Sequence, residues 1–139
     1  MNSPPSEYDS IAAVGVLCRG NELLVIKRSE QVIAPGKICF PGGTVETGES
    51  IPEAITREFL EEVQLIVSPA NELWTSVTSW RCKVHWWKVD CKEPADAKAD
   101  SIEVADVLWK SPQKLLSDPD LLESNRYFLE LVLSGEINL

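Results

Sequence analysis

GGTVETGESIPEAITREFLEEVQL, residues 42 to 65, sets three glutamates, Glu58, Glu61 and Glu62, a short loop away from the Gly42-Gly43 pair. Residues 51–63 read as a helix. Ser50 and Glu53 form an S-x-x-E capping pair, and Pro52 stands in the first turn, where its missing N–H costs little. An α-helix turns about 100° per residue. With Ile55 at zero, Phe59 lies at about 40°, Val63 at about 80° and Ile51 at about −40°, which marks the core-facing stripe. Glu62 falls at about −20°, inside that stripe, while Glu58 at about −60° and Glu61 at about −120° flank it. Like charges one turn apart destabilise a helix, and partial burial raises the cost. Arg57, at about 200°, is expected to point away from Glu58 and Glu62 and not to neutralise the cluster from within the helix. A hard divalent cation such as Mg²⁺ would neutralise it, since it takes carboxylate oxygens and keeps several waters. The alternative is a solvated charged face with Arg57 pairing locally.

Upstream, IAAVGVLCR (11–19) and ELLVIKR (22–28) are apolar runs separated by Gly20-Asn21 and read as an antiparallel hairpin. KICF (37–40) reads as a short strand stopped by Pro41-Gly42-Gly43. Downstream, LIVS (65–68) reads as a strand. Residues 72–90, rich in Val, Thr and Trp, read as two strands without a clear boundary. A polar loop is expected over 92–100 and a strand over VADVLWK (104–110). SPQKLL opens a short helical turn, and residues 121–135 read as a C-terminal helix ending at Gly135. Strands interleaved with helices imply an α/β layered domain with a mixed sheet. The polar, proline-bearing residues 1–9 are expected to be a frayed tail, and 10–139 a single domain.

The bulk numbers agree. A chain of 139 residues, 44% hydrophobic and 25% charged, suits one globular domain. A net charge of −9 repels a long polyphosphate backbone, so long nucleic acid is not an expected partner. No apolar run approaches the roughly 20 residues of a membrane span, and the N-terminus lacks the pattern of a secretory signal. A cytoplasmic location follows as the expectation, with Cys18, Cys39, Cys82 and Cys91 as free thiols. The one histidine, His85, argues against zinc.

Gly43, five residues, Glu49, seven residues, Arg57-Glu58-Phe59-Leu60-Glu61-Glu62 and then Val63-Gln64-Leu65 resemble the Nudix box. Gln64 departs from the pattern, which has glycine there. Phe40-Pro41-Gly42 also resembles the usual lead-in. The resemblance implies an α/β/α sandwich with a mixed β-sheet between helices. It also implies hydrolysis of a nucleoside diphosphate linked to another moiety, with Mg²⁺ or Mn²⁺. Carried over residue by residue, Glu58, Glu61 and Glu62 are the metal carboxylates, the Gly43 carbonyl assists, and Arg57 pairs with Glu49 to fix the loop. Family members differ in which carboxylate takes the proton of the attacking water; Glu58 and Glu103 are the candidates here. Glu103 lies six residues before Trp109, a spacing at which some members carry a further metal ligand. A non-glycine residue at position 64 costs roughly 1–2 kcal/mol in the left-handed region, unless the chain leaves the helix another way.

Arg28 and Lys37 are candidates for holding phosphates, and Trp86 for stacking on a base, although core packing is the default for every tryptophan. No Ser–His–Asp motif accompanies His85. Substrate choice lies outside the box. A small nucleotide such as a nucleoside triphosphate is expected, against nucleotide sugars, ADP-ribose, coenzyme A, or an inactive ligand-binding module. The expected assembly is a monomer or homodimer.

Overall fold

The computed structural model describes residues 8–99 and 102–139. Alternation of apolar side chains builds a sheet buried on both faces. Strand β1 (Ser10–Arg19) turns at Gly20 into β2 (Glu22–Arg28). Two short strands follow, β3 (Ile38–Cys39) and β4 (Gly42–Thr44), then helix α1 (Ile51–Val63). Strands β5 (Ser68–Val77), β6 (Cys82–Asp90) and β7 (Val104–Lys110) precede two helices, α2 (Pro112–Leu116) and α3 (Arg126–Leu133). The sheet runs β3-β2-β1-β6-β5, with β4 added to β1 and β7 to β2. Among the named strands of the described residues, β1 and β6 pair in parallel and the other pairs are antiparallel, so the sheet is mixed.

In β2 all four residues Leu23–Ile26 are buried. Leu24 and Ile26 enter a core layer with Ile55, Phe59 and Val63 of α1. Leu23 and Val25 enter the opposite layer with Leu115, Phe128 and Leu129 of α2 and α3. Residues of a strand alternate in this way across its two faces, and here each face has its own helical cover. The result is the expected α/β/α sandwich.

Several elements follow local signals closely. The Ser50 hydroxyl accepts from the Glu53 N–H and the Glu53 carboxylate from the Ser50 N–H, which completes the capping box. Gln64 takes the left-handed conformation (φ 57°, ψ 34°), so the chain leaves α1 as it would with glycine, and the Gln64 and Leu65 N–H groups turn back to the Phe59 carbonyl.

Two expectations need correction. LIVS is not a strand: Leu65 and Val67 are buried, but the segment is still leaving the helix cap, and pairing starts only where Ser68 meets Asp90. The C-terminal helix begins at Arg126, not 121, because residues 120–122 are already committed to β3. The Ile38 N–H donates to Asp120 O, and the Leu122 N–H to Ile38 O, each at 2.8 Å. A 3-10 turn at Glu123–Asn125 then leads into α3. Of the tail expected over 1–9, residues 1–7 lie outside the described residues, while Asp9 donates its N–H to Arg81 O. In the polar loop of 92–100, Asp100 likewise lies outside the described residues.

Helix α1 lies directly on the β1 backbone because position 15 is glycine. A Cβ there would stand 2.3 Å from Phe59 Cε2 and 3.3 Å from Ile55 Cγ2. Phe59 is fully buried, which contributes about 1.5–3 kcal/mol. Gly15→Ala is expected to push the helix off the sheet and cost about 1–3 kcal/mol, the usual range for overpacking. The urea midpoint measures this, and an unchanged midpoint would contradict so close a seating.

Candidate functional site

The acidic site forms where α1 crosses the Gly42-Gly43 turn. Glu62 is 6% exposed, beside Ile55 and Phe59 on the helix, as its phase predicts. Its Oε1 accepts the Gly42 N–H at 3.0 Å. Burial drives its pKa up to about 9; the hydrogen bond and charge of Glu58 add to the rise, the Gly42 N–H opposes it, and Glu103 contributes a smaller repulsion. Glu58 and Glu103 therefore each lie near enough to Glu62 to act on its charge. Glu58 also lies against Gly43, where a Cβ would stand 2.5 Å from its Oε1. Gly42 has its own need for glycine, since a Cβ would meet Ala13 O at 2.3 Å. The two glycines let a backbone ribbon pass between strand β1 and two carboxylates.

Arg57 organises the outer side of the site. Its Nε and Nη2 bind Glu49 at 2.7 and 3.0 Å, and Nη2 also donates to Thr44 O at 3.1 Å. Glu49 further accepts the Glu46 N–H. The Arg57 hydrogen bonds, and then the Glu46 N–H, hold the Glu49 carboxyl down to about 2. The expectation that Arg57 points away from Glu58 and Glu62 is wrong for Glu58, whereas a contact with Glu61, one turn on, is what its phase allows. Its Nη1 lies 3.0 Å from Glu58 Oε1 and 3.3 Å from Glu61 Oε2. Helical phase describes where Cβ points; a guanidinium on three methylenes reaches well beyond it. Among the described residues, Glu62 is not a partner of Arg57.

Glu103 sits on an exposed turn just before β7. Its carbonyl accepts the Ser29 N–H at 2.9 Å, and the buried Ser29 hydroxyl donates to Ile102 O at 2.6 Å. Ser29 thus fixes two consecutive carbonyls that set the direction of Glu103. A serine following a strand gives no sequence signal of this role.

The substrate-side candidates separate. Arg28 donates through Nε to Ile33 O at 2.7 Å and points Nη1 at the Cys39 sulfur, so it staples the 29–37 loop beside the site. Lys37 is half-buried at the far end of that loop, where its carbonyl accepts the Arg28 N–H. Trp86 is corrected: it is 1% exposed, stacked at 4.3 Å on Phe128 and edge-on to Phe40, so no face is open to a base. Its indole N–H is satisfied by Ser76 Oγ. All four cysteines are free thiols.

Carboxylates facing a backbone carbonyl turn are the donor chemistry of a hard divalent cation. Among the described residues no three acidic, His or Cys side chains already converge as a ligand shell. Glu61 is turned outward to Arg57, and Glu58 is shared between Arg57 and Glu62. The residue types fit a metal.

Comparison with known proteins bears on the fold and the family. The family model described as NUDIX domain matches residues 9–132. An ADP-ribose pyrophosphatase of Methanocaldococcus jannaschii is 43% identical over 61 residues, 42% of this chain and 34% of that protein. An 8-oxo-dGTP diphosphatase of Escherichia coli is 38% identical over 52 residues, 37% of this chain and 40% of that protein. The matched stretch thus spans well under half the length of either relative. Over nearly full length the fold resembles the crystal structure of a MutT protein from Methanosarcina mazei Go1, with a TM-score of 0.76, 27% identity, and 96% and 99% of the two chains covered. The E. coli ORF135 protein is similar at TM-score 0.75 and 20% identity, covering 96% of each chain, and that likeness concerns the fold alone.

The raised pKa of Glu62 has a stability consequence. In the folded, metal-free protein Glu62 keeps its proton up to about pH 9, whereas the unfolded chain releases it near the ordinary 4.5. Between those values the folded state binds more protons, so this group makes stability fall as pH rises. Glu62→Gln removes that dependence. In EDTA the variant is expected to match wild type near pH 4 and to be increasingly the more stable towards pH 9, read as denaturant midpoints. A variant strongly destabilised across the range would instead give Glu62 a protein partner that needs its charge.

Proposed function

The chain belongs to the Nudix family, and on that footing we propose that it hydrolyses a diphosphate linkage in a small nucleotide, with Mg²⁺ or Mn²⁺ as cofactor. The observation that carries this reading is the convergence of Glu58 and Glu62 on the Gly42-Gly43 backbone, with Glu62 bonded to the Gly42 N–H. Glu58, Glu61, Glu62 and the Gly43 carbonyl would hold the metal, with Glu103 as a further ligand. A bound divalent ion would neutralise the diphosphate and lower the pKa of a coordinated water.

The chain's own groups have distinct tasks in this reading. Glu62, fixed by a backbone N–H and buried in the core layer, gives the site its rigid member. Glu58 and Glu103, both more accessible, are the candidates to take the proton from an attacking water. Arg57 and Glu49 hold the 44–49 loop against the helix, so that the Gly43 carbonyl keeps its place. Arg28 and Lys37, at the two ends of the loop between β2 and β3, are the candidate phosphate contacts. A nucleoside triphosphate is the preferred substrate class. The full-length likeness to a MutT protein and the partial match to an 8-oxo-dGTP diphosphatase favour it. The match to an ADP-ribose pyrophosphatase supports ADP-ribose as the second reading.

A panel of nucleoside triphosphates, nucleotide sugars, ADP-ribose and coenzyme A, incubated with Mg²⁺, tests both. Turnover of at least one triphosphate is expected. It should vanish in excess EDTA, and it should place ¹⁸O from solvent on a phosphate product. Glu62→Gln should slow it at least about 100-fold, since a metal-ordering carboxylate supplies a few kcal/mol of the barrier. Full turnover in EDTA would refute the metal role. Absence of turnover across the panel would favour a ligand-binding module.

A further inference from the structure

We propose that Asn125, on the opposite face of the sheet, is a positioning residue for the acidic site and acts through the Phe40–Gly42 backbone. The inference rests on the reading of Glu62 as a metal ligand. Asn125 is buried and stands at the N-cap position of α3, yet its side chain makes no cap bond. An asparagine caps a helix from an extended backbone, whereas Asn125 is helical (φ −93°, ψ −13°) at the end of the 3-10 turn. This one instead accepts the Phe40 N–H with Oδ1 at 3.1 Å, across 85 positions of sequence. The donor is an N–H, so the oxygen of the carboxamide must face it.

The bond is one of a series that pins a single ribbon. The Ile38 N–H and carbonyl are held by Asp120 and Leu122. Phe40 N–H is held by Asn125, Pro41 O accepts the Gly15 N–H at 3.0 Å, and Gly42 N–H donates to Glu62. Between the Asn125 bond and the Glu62 bond lies only Pro41, whose ring fixes φ. At Gly42 the ribbon pairs with Val14 of β1 so closely that an added Cβ would meet Ala13 O. A shift of the Phe40 amide therefore moves the Gly42 N–H and, with it, Glu62. The packing of the Phe40 ring between Trp86 and Phe128 fixes its side chain but leaves the direction of its N–H to Asn125.

Asn125→Leu removes the acceptor at similar volume, and Asn125→Asp keeps it. Two readouts apply to the full chain without nucleotide: Mn²⁺ affinity by electron paramagnetic resonance, and hydrogen exchange of the Gly42 amide in metal-free protein. Asn125→Leu is expected to weaken Mn²⁺ binding about tenfold or more, as loss of an outer partner of a ligand typically does, and to accelerate Gly42 exchange. Asn125→Asp should stay within about twofold of wild type in both. A folded Asn125→Leu with wild-type Mn²⁺ affinity and unchanged Gly42 exchange overturns the inference. If the leucine variant does not fold, Asn125→Ala replaces it under the same criteria. If neither folds, Asn125 is a determinant of the fold and the positioning role is overturned. Wild type that binds no Mn²⁺ defeats the metal reading, while Gly42 exchange still decides whether Asn125 controls the Gly42–Glu62 bond.

Discussion

A carboxyl group buried in an apolar layer and bonded to the Gly42 N–H is the constraint around which this molecule is arranged. An ionised carboxylate there is costly, and a second one beside it raises the cost. Helix α1 accepts both, with Glu62 inside its apolar stripe and Glu58 at the edge. For Glu62 to reach a backbone donor, the 42–43 turn must run close to the helix, and for that the strand beneath must give way. Glycines at 42, 43 and 15 answer these demands, each against a different neighbour: the β1 backbone, the Glu58 carboxylate and the Phe59 ring.

Charge outside the helix is managed by one residue. Arg57 binds Glu49 in a two-pronged contact and also reaches Glu58 and Glu61. Two-pronged guanidinium–carboxylate contacts fix orientation as well as charge. The loop over 44–49 is therefore tied to the helix that it precedes. A cation bound as proposed would compete with this guanidinium for Glu58 and Glu61. The buried Glu62 is outside this exchange.

The sheet brings distant segments to one place. Ser29, after β2, sets the backbone of Glu103 before β7, and residues 120–125 grip β3 and Phe40. The long β5 edge carries two register shifts, a feature that discourages pairing with another chain. Trp86, the most base-like feature of the sequence, is consumed by the second core layer instead, stacked on Phe128.

Helix α1, its capping box, the hairpin at Gly20 and the presence of Glu62 in the apolar stripe were determined by the sequence itself. Each depends on residues within a few positions of one another, where propensity, capping and phase act directly. The family resemblance was equally local, carried by residues 43–65. What only the tertiary structure decided is everything set by contact between distant segments. Arg57 turned onto Glu58, which its phase points away from, because side-chain reach and a loop carboxylate outweighed direction. The C-terminal helix lost its first residues because the β3 backbone needed partners at Asp120 and Leu122. The Asn125 side chain met the distant Phe40 N–H, and Trp86 turned inward, since which face of a strand is covered depends on helices elsewhere in the chain. Local pattern fixes which groups a segment offers, and only packing decides which of them meet.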